Sequence, residues 1–340
     1  MRDEGQLPTL SIITVAKNCG GLLRECYGKI AAQDYPADKI ELLLIDGGSA
    51  DDTKSVAKSF GARVIDGGFP DNQEARRYVG FQSAHHDILV YIDADNFLPD
   101  TQWLKKMVLP FMSDVSIIAT QTYHYGYDRK YSPLNRYFGL IGANDPVAFY
   151  LGKADRAPWY SAQWSQLGDL MEETPDYFKV RFRLDDFPTI GCNGFLVRRA
   201  VFSQLTCQAH EFLHTDIFYD LIQKGYDTFA IVKTSIFHIS ADSFFSFMKK
   251  RIRYMRMHHH KMGEVRRYRV FDRRRPRDIK KLGKFILFAG TFIRPCWDAM
   301  KGYRRIRDAA WFLHPVVCFG FLCAYGLSCM FNFLQPPRGK

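Results

Sequence analysis

Residues Ile88-Leu-Val-Tyr-Ile-Asp-Ala-Asp-Asn96 form an apolar run that ends in two carboxylates one residue apart. A short apolar run of this kind suits a strand buried on both faces, with Asp93 and Asp95 at its carboxyl end. Ligands of open α/β sheets bind at that edge. Side chains alternate along a strand, so the two carboxylates are expected on one side, around a single divalent cation. All-oxygen ligation favours Mg²⁺ or Mn²⁺, ions that usually act together with substrate phosphates. The same residues also suit a helix cap, because Asp95-Asn-Phe-Leu-Pro-Asp-Thr101 leads into a helix beginning near Thr101.

The elements that would position these carboxylates alternate along the chain. Strands are expected at Leu10–Val15, Ile40–Ile45, Arg63–Ile65, Ile88–Ile92 and Ser116–Thr120. Helices are expected between them, at about Gly21–Gln33, Asp51–Phe60, Gln73–Ser83 and Trp103–Phe111. This order implies a mostly parallel, Rossmann-like sheet with helices on both faces. Tyr123 to Asp186 is aromatic-rich without clear periodicity and reads as a substrate-facing insertion.

The chain has 340 residues, 47% hydrophobic and 24% charged, which excludes a disordered chain. Its net charge of +11 is concentrated between Lys249 and Arg307, where basic pairs and triplets recur. Such a block can serve nucleic acid or anionic lipid. The stretch that follows selects lipid and excludes nucleic acid. Pro315 to Leu334 carries no charged residue and matches the length of about 20 residues that crosses a bilayer. Trp311 and Phe312 suit the interfacial belt. Lys301, Arg304, Arg305 and Arg307 precede the segment, with Arg338 and Lys340 after it, so the large amino-terminal part is expected in the cytoplasm. The opening residues Met1 to Gln6 are too short and too charged for an export signal. The eight cysteines show no Cys-x-x-Cys spacing, which speaks against a zinc site or a disulfide framework.

Several segments together carry a resemblance. Val15-Ala-Lys-Asn18, Leu44-Ile-Asp-Gly-Gly-Ser-Ala-Asp-Asp-Thr53, Tyr91-Ile-Asp-Ala-Asp95, Gly191-Cys-Asn-Gly-Phe-Leu-Val-Arg-Arg199, Asp216 to Tyr226 and His238 resemble the family 2 glycosyltransferases of GT-A fold in order and spacing. The resemblance covers roughly residues 8 to 260. It implies that Asp46 recognises the nucleotide base, with Ala16 and Asn18 lining the same pocket. A carboxylate accepting from a uracil or guanine ring N–H makes a charge-assisted hydrogen bond. Asp46-Gly-Gly-Ser49 also suits a turn and a helix cap, and both roles can hold together. By the same resemblance Asp93 lies near the donor ribose and metal, Asp95 is the principal metal ligand, and His238 approaches the metal and pyrophosphate. Arg77 and Lys17 are weaker candidates for the phosphates.

Inverting members of that family place their base in a Glu-Asp pair at the start of a helix ending in Gly-Tyr. Here the helix reads Leu213-His-Thr-Asp216 and onward to Gly225-Tyr226, without the glutamate. The spacing from Gly225-Tyr226 puts His214 at the usual position, whereas Asp216 is the closer chemical match. Both stay candidates for the base, Asp216 ahead. Asp242 to His260 places Phe244, Met248, Ile252 and Met255 on one helical face and Lys249, Lys250, Arg253 and Arg256 elsewhere, a basic amphipathic helix suited to the headgroup plane. Within it Lys250-Arg-Ile-Arg-Tyr254 loosely resembles the Gln-x-x-Arg-Trp motif of processive synthases, and Arg253 is the candidate pyrophosphate contact. His258, His259 and His260 point around a helix and cannot share one ion. Lys284 to Trp297 is too short to span and suits an in-plane or re-entrant helix ended or kinked at Pro295.

The expected organisation is a GT-A catalytic domain at residues 1–240, interfacial helices at 241–307 and a transmembrane helix with a short tail at 308–340. The expected function is an inverting, metal-dependent (Mn²⁺ or Mg²⁺) glycosyltransferase at the cell membrane, single-pass or partly interfacial. Its partners would be a nucleoside-diphosphate sugar (UDP- ahead of GDP-), a lipid-linked or glycan acceptor, and membrane lipids. Two rival functions are a sugar nucleotidyltransferase and a catalytically silent lipid-surface module. The first should carry a basic, Gly-rich phosphate loop, of which Lys17-Asn-Cys-Gly-Gly is a faint version. The second gives no role to Asp46, Asp93 and Asp95 together.

Overall fold

The structure, a computed structural model, describes residues 7–161, 163, 167–241, 243–255 and 266–334. Arg256, the His258–His260 run, the opening six residues and the basic tail residues Arg338 and Lys340 lie outside them. The chain divides into two compact units, residues 1–126 with 167–238, and residues 127–166 with 239–340.

The first unit opens with β1 (Leu10–Ala16), α1 (Gly20–Ala31), β2 (Ile40–Asp46), α2 (Thr53–Ser59) and β3 (Arg63–Asp66). It continues through α3 (Gln73–Ser83), β4 (Ile88–Tyr91), the short β5 (Asn96–Phe97), α4 (Trp103–Ser113) and β6 (Ala119–Tyr125). In the second unit come α5 (Pro133–Ile141) and α6 (Pro146–Leu151). The chain then returns to the first unit for β7 (Asp169–Glu173), β8 (Tyr177–Arg181), β9 (Phe195–Arg198), α7 (Arg199–Phe202), α8 (His214–Gln223) and β10 (Thr228–His238). The second unit closes with α9 (Phe244–Tyr254), α10 (Pro276–Thr291), α11 (Ile293–Arg305) and α12 (Leu313–Leu334).

The sheet order is β3-β2-β1-β4-β9-β6-β10-β8-β7, with β5 on β10. The expected parallel arrangement holds across β3, β2, β1 and β4. Beyond β4 the sheet is mixed, since β9 runs antiparallel to both β4 and β6. Every residue of β1 and of β4 is buried, as strands covered on both faces require, Ser11 and Thr14 of β1 included. In α1 the buried Leu23, Cys26, Tyr27 and Ile30 recur at helical spacing and form the face that packs inward.

The described part of the expected insertion between Tyr123 and Asp186 holds regular helices and strands. Ser132 and Asp145 accept hydrogen bonds from the first-turn amides of α5 and α6, each helix has proline at its start, and each ends at a left-handed glycine, Gly142 or Gly152. These cap signals were present in the sequence, but helices of nine and six residues are too short to show periodicity.

In the second unit, the apolar face of α9 is packed against protein instead of lying open to a headgroup plane. Phe247 sits 4.6 Å from Phe138 and 6.2 Å from Phe321, ring to ring, and Phe244 and Ile252 pack on the same core. Arg251 pairs with Asp145, and Tyr325 Oη lies 3.0 Å from the guanidinium and donates to that carboxylate at 2.7 Å. Pro295 does not end a helix. The break falls at Phe292, in the left-handed region at φ +61°, and Pro295 occupies the first turn of α11, where its missing N–H is not needed. Ala309–Met330 has mean hydropathy 1.7 and is the one stretch among the described residues long and apolar enough to cross a membrane. One face of it, including Val317, Cys318 and Phe321, is buried in the unit; Val316, Phe319, Leu327 and Met330 are exposed.

Candidate active site

All but one of the expected site residues lie in the first unit, where several gather at the carboxyl ends of the parallel strands. Ala16 and Asp46 end β1 and β2 in register, so the loops that follow leave the sheet side by side. Asp46 is buried, and its Oδ2 accepts from the N–H groups of Gly48 at 3.1 Å and Ser49 at 2.9 Å. Gly48, at φ +85°, supplies the left-handed turn that brings those amides round. The second carboxylate oxygen, Oδ1, is buried and has no hydrogen-bond partner among the described residues. Asn18 holds the two loops together: its backbone N–H donates to Ser49 Oγ at 2.9 Å, and its Oδ1 accepts from Ala50 N–H at 2.8 Å. Asp46 thus serves the turn with one oxygen only.

Asp93 and Asp95 lie in a turn beyond the end of β4, so strand alternation does not set their directions. Asn96 closes this turn. Its N–H donates to the Asp93 carbonyl at 2.9 Å, and its Oδ1 accepts from Asp93 N–H at 3.1 Å. Antiparallel pairing of β5 with β10 then sets His238 opposite Asn96. His238 Nε2 comes to 3.6 Å from Asp95 Oδ2. Asp93 has a different neighbour, Arg77, whose Nη2 lies 2.6 Å from its Oδ2. Burial pushes the Asp93 carboxyl up from its ordinary value, Arg77 opposes this, and the charge of Asp95 adds to it. Among the described residues no three His, Cys, Asp or Glu side chains are gathered as a metal-binding set. Asp95 and His238 are the pair whose donor atoms converge.

Arg77 is buried in α3 between two carboxylates, Asp93 and Glu74, and not at an open phosphate position. Glu74 continues the chain. Its Oε2 accepts from His214 N–H at 3.0 Å and lies 2.9 Å from His214 Nδ1. His214 Nε2 faces Cys192 Sγ at 3.8 Å. Burial opposes ionisation of Glu74, but Arg77 and His214 together hold its carboxyl well below the usual range. Burial likewise opposes protonation of His214, yet Glu74 and Cys192 hold its imidazole well above its ordinary value. An imidazolium has no lone pair to offer as a base. Asp216 stands in the first turn of the same helix and is buried. A carboxylate in a first turn is favoured by the helix dipole.

Asp93, Arg77 and His214 were each expected at the site, but Glu74 and the chain that links the four were not foreseen. Its sequence signal was faint: Glu74 and Arg77 are charged residues three apart on the face of α3 that also buries Ala75 and Phe81. The loop before β9 was noted only as part of a motif. Gly191, Asn193 and Gly194 all have positive φ, and a Cβ at Gly194 would meet Trp103 and Ile236. That backbone lets Asn193 donate to Tyr125 Oη at 3.1 Å. Lys17 donates to the Pro70 carbonyl at 3.4 Å. Arg253 belongs to α9 of the second unit.

Comparison with known proteins follows the same residues. The model of the family described as Glycosyl transferase family 2 matches residues 11–206. The chain is 32% identical over 107 residues to glycosyltransferase AglE of Haloferax volcanii, covering 30% of this chain and 35% of that protein. It is 36% identical over 55 residues to an uncharacterized glycosyltransferase of Mycoplasma pneumoniae, 16% of this chain and 18% of that one. The matches therefore span well under half the length of these relatives. Among solved structures it is similar in fold to mannosyltransferase PcManGT from Pyrobaculum calidifontis, in complex with GDP-Man and Mn²⁺. The TM-score is 0.53 at 14% identity, over 98% of this chain and 89% of that one.

Proposed function

Because the chain belongs to glycosyl transferase family 2 and is thereby a glycosyltransferase of GT-A fold, we propose that it moves a sugar from a nucleoside-diphosphate sugar to an acceptor, with inversion at the anomeric carbon. The observation that carries this reading is the buried, unpartnered Oδ1 of Asp46 at the end of β2. A ring N–H of uracil or guanine satisfies that oxygen, while Oδ2 stays with its turn. Ala16 and Asn18 flank the base, and UDP is preferred over GDP.

Asp95 and His238 are the residues that would hold a divalent ion, their donor atoms 3.6 Å apart. A carboxylate with an imidazole suits Mn²⁺ better than Mg²⁺, which prefers oxygen alone, and the solved mannosyltransferase is a complex with Mn²⁺. Such an ion would offset the charge gathering on the leaving diphosphate. Asp93, oriented by Arg77, is set to accept from the donor ribose. Asp216 takes the proton of an acceptor hydroxyl as it attacks. His214 holds the start of α8 on Glu74 and acts through position. A polyprenyl phosphate acceptor would arrive ionised and need little help from Asp216.

The acceptor is a lipid-linked or glycan one at the cytoplasmic face of a membrane, to which the second unit holds the enzyme. Burial of one face of α12 favours partial insertion over a freely spanning helix. Calorimetric titration of UDP and GDP with Mn²⁺ tests the donor site. Asp46→Asn keeps an acceptor for Gly48 and Ser49 but turns an NH₂ group towards the base, so binding should weaken about ten-fold or more. Unchanged binding of both nucleotides would remove Asp46 from the donor site.

A further inference from the structure

Most of the arginines of the second unit that the fold uses are paired. Arg294 lies 3.0 Å from Asp298, Arg136 2.9 Å from Asp308 and Arg274 3.0 Å from Asp272, and Arg251 pairs with Asp145. The end of α11 differs. Among the described residues Arg304 and Arg305 are exposed and have no acidic partner, and Lys301 is engaged by an aromatic face, its Nζ 4.4 Å from the Tyr160 ring centroid. These three cations, with Tyr160, Trp297 and Met300, line an open groove of about 540 Å³.

The groove is built from one helical stripe. Trp297, Met300, Lys301, Arg304 and Arg305 stand at i, i+3, i+4, i+7 and i+8, which places them on a single face of α11. The first turn of the stripe is apolar and the last is cationic. Tyr160 forms the opposite wall, and the fully buried Trp311 backs it at 5.8 Å between ring centroids. Trp311 can sit there because position 302 is glycine; a Cβ at Gly302 would meet its indole. Trp297 is 55% exposed and Met300 44%, on a helix that also exposes Ile293 and Tyr303.

We infer that this groove binds the phosphate headgroup of an anionic phospholipid, with Arg304, Arg305 and Lys301 on the phosphate and Trp297 and Met300 against the glycerol and upper acyl carbons. Charge complementarity requires an anion, and guanidinium groups match phosphate oxygens in pairs. The apolar half of the stripe selects a lipid over free phosphate, which would leave Trp297 and Met300 in water. The cations also sit at the carboxyl end of α11, where the helix dipole favours positive charge, so they keep their place without a ligand. The inference rests on the reading of the second unit as membrane-associated and names the lipid class that it would recognise.

The test is a titration of the full chain with dihexanoyl phosphatidylglycerol, dihexanoyl phosphatidylcholine and inorganic phosphate, followed by tryptophan fluorescence. Saturable binding of phosphatidylglycerol alone is expected, weakened roughly ten-fold or more in R304Q/R305Q. Arg273→Gln with Lys280→Gln, which removes equal charge from exposed positions elsewhere in the unit, should leave it unchanged. Equal weakening by the two double variants would reduce the site to diffuse charge. Binding of inorganic phosphate as tight as that of the lipid would make it a phosphate site only, and equal binding of phosphatidylcholine an apolar patch only; each outcome overturns the proposal. Retention of the wild-type protein on neutral vesicles is measured separately. Its loss would count against membrane association itself, whatever the lipid titration shows.

Discussion

Two charged clusters, one in each unit, handle their charge in opposite ways. In the first, Asp93, Arg77, Glu74 and His214 are withdrawn from water and each is neutralised by its neighbour. In the second, Lys301, Arg304 and Arg305 stand in water beside exposed Trp297 and Ile293. Interactions between buried charges are strong and directional, so such a chain fixes geometry. Exposed cations interact weakly, add up, and are screened by salt within about 8 Å at physiological ionic strength. One arrangement suits the orientation of reacting groups, the other adsorption to a charged surface.

That contrast predicts large effects from single substitutions in the first unit and small ones in the second. The largest is expected at Asp95. Asp95→Ala should reduce Mn²⁺-dependent turnover of a nucleotide sugar by roughly a thousand-fold or more, since an ion at the leaving group contributes several kcal/mol. Full turnover of that variant in EDTA would break the metal assignment. Next is the base. Asp216→Asn should lower transfer to a hydroxyl acceptor by about 10²- to 10⁴-fold while donor binding persists, and His214→Gln should cost less. The reverse ranking at matched donor saturation would give the role to His214.

Glu74→Gln sharpens the comparison through stability. It leaves Arg77 and His214 buried with reduced compensation, and urea unfolding should report a loss of about 3–5 kcal/mol. The pH dependence has two arms. The Glu74 carboxyl is depressed by folding, so its stabilisation is present above its unfolded value of about 4.3 and is lost as pH falls through the folded one. His214 is raised, so its stabilisation is complete below about 6.5 and is lost as pH rises through its folded value. The difference between wild type and Glu74→Gln should therefore be greatest between about pH 4.3 and 6.5. A difference independent of pH would mean that Glu74 only packs.

The smallest effect is expected on the exposed face of α12. Deleting the helix would strip Val317, Cys318 and Phe321 from the core of the second unit, so point changes are the cleaner probe. Leu327→Ser with Met330→Ser should weaken retention on neutral vesicles by roughly 30-fold or more, at about 1–2 kcal/mol per apolar side chain withdrawn from lipid. Retention unchanged by these substitutions would leave α12 as a core helix.

What could be read from the residues alone follows from locality. The strands β1, β2 and β4 are mostly apolar runs, and the aspartates at or just beyond the ends of two of them stand in short motifs, so the parallel half of the sheet and the positions of Asp46, Asp93 and Asp95 at its edge were legible. Glu74 and His214 lie 140 residues apart, and no local pattern links them. Nor could strand alternation place Asp95 beside His238, because that approach depends on the antiparallel pairing of two-residue β5 with the end of β10. The surroundings of Arg77 turned on burial: a basic residue on an α/β loop or helix start reads as a phosphate ligand until the carboxylates around it are seen. The apolar face of α9 met the same difficulty, since periodicity shows that a helix has an apolar face but not whether protein or lipid covers it.

The claim on which the rest depends is that nucleotide sugars are the donors for chemistry at Asp46, Asp95 and Asp216. Mass spectrometry of lipid and glycan extracts, incubated with the full-length protein, Mn²⁺ and a panel of UDP- and GDP-sugars, tests it directly. The account predicts a product heavier by one or more sugar residues with at least one donor, and no product with the Asp95→Ala protein. Absence of any mass gain across the panel, from a folded protein that also fails to bind UDP or GDP, would contradict it.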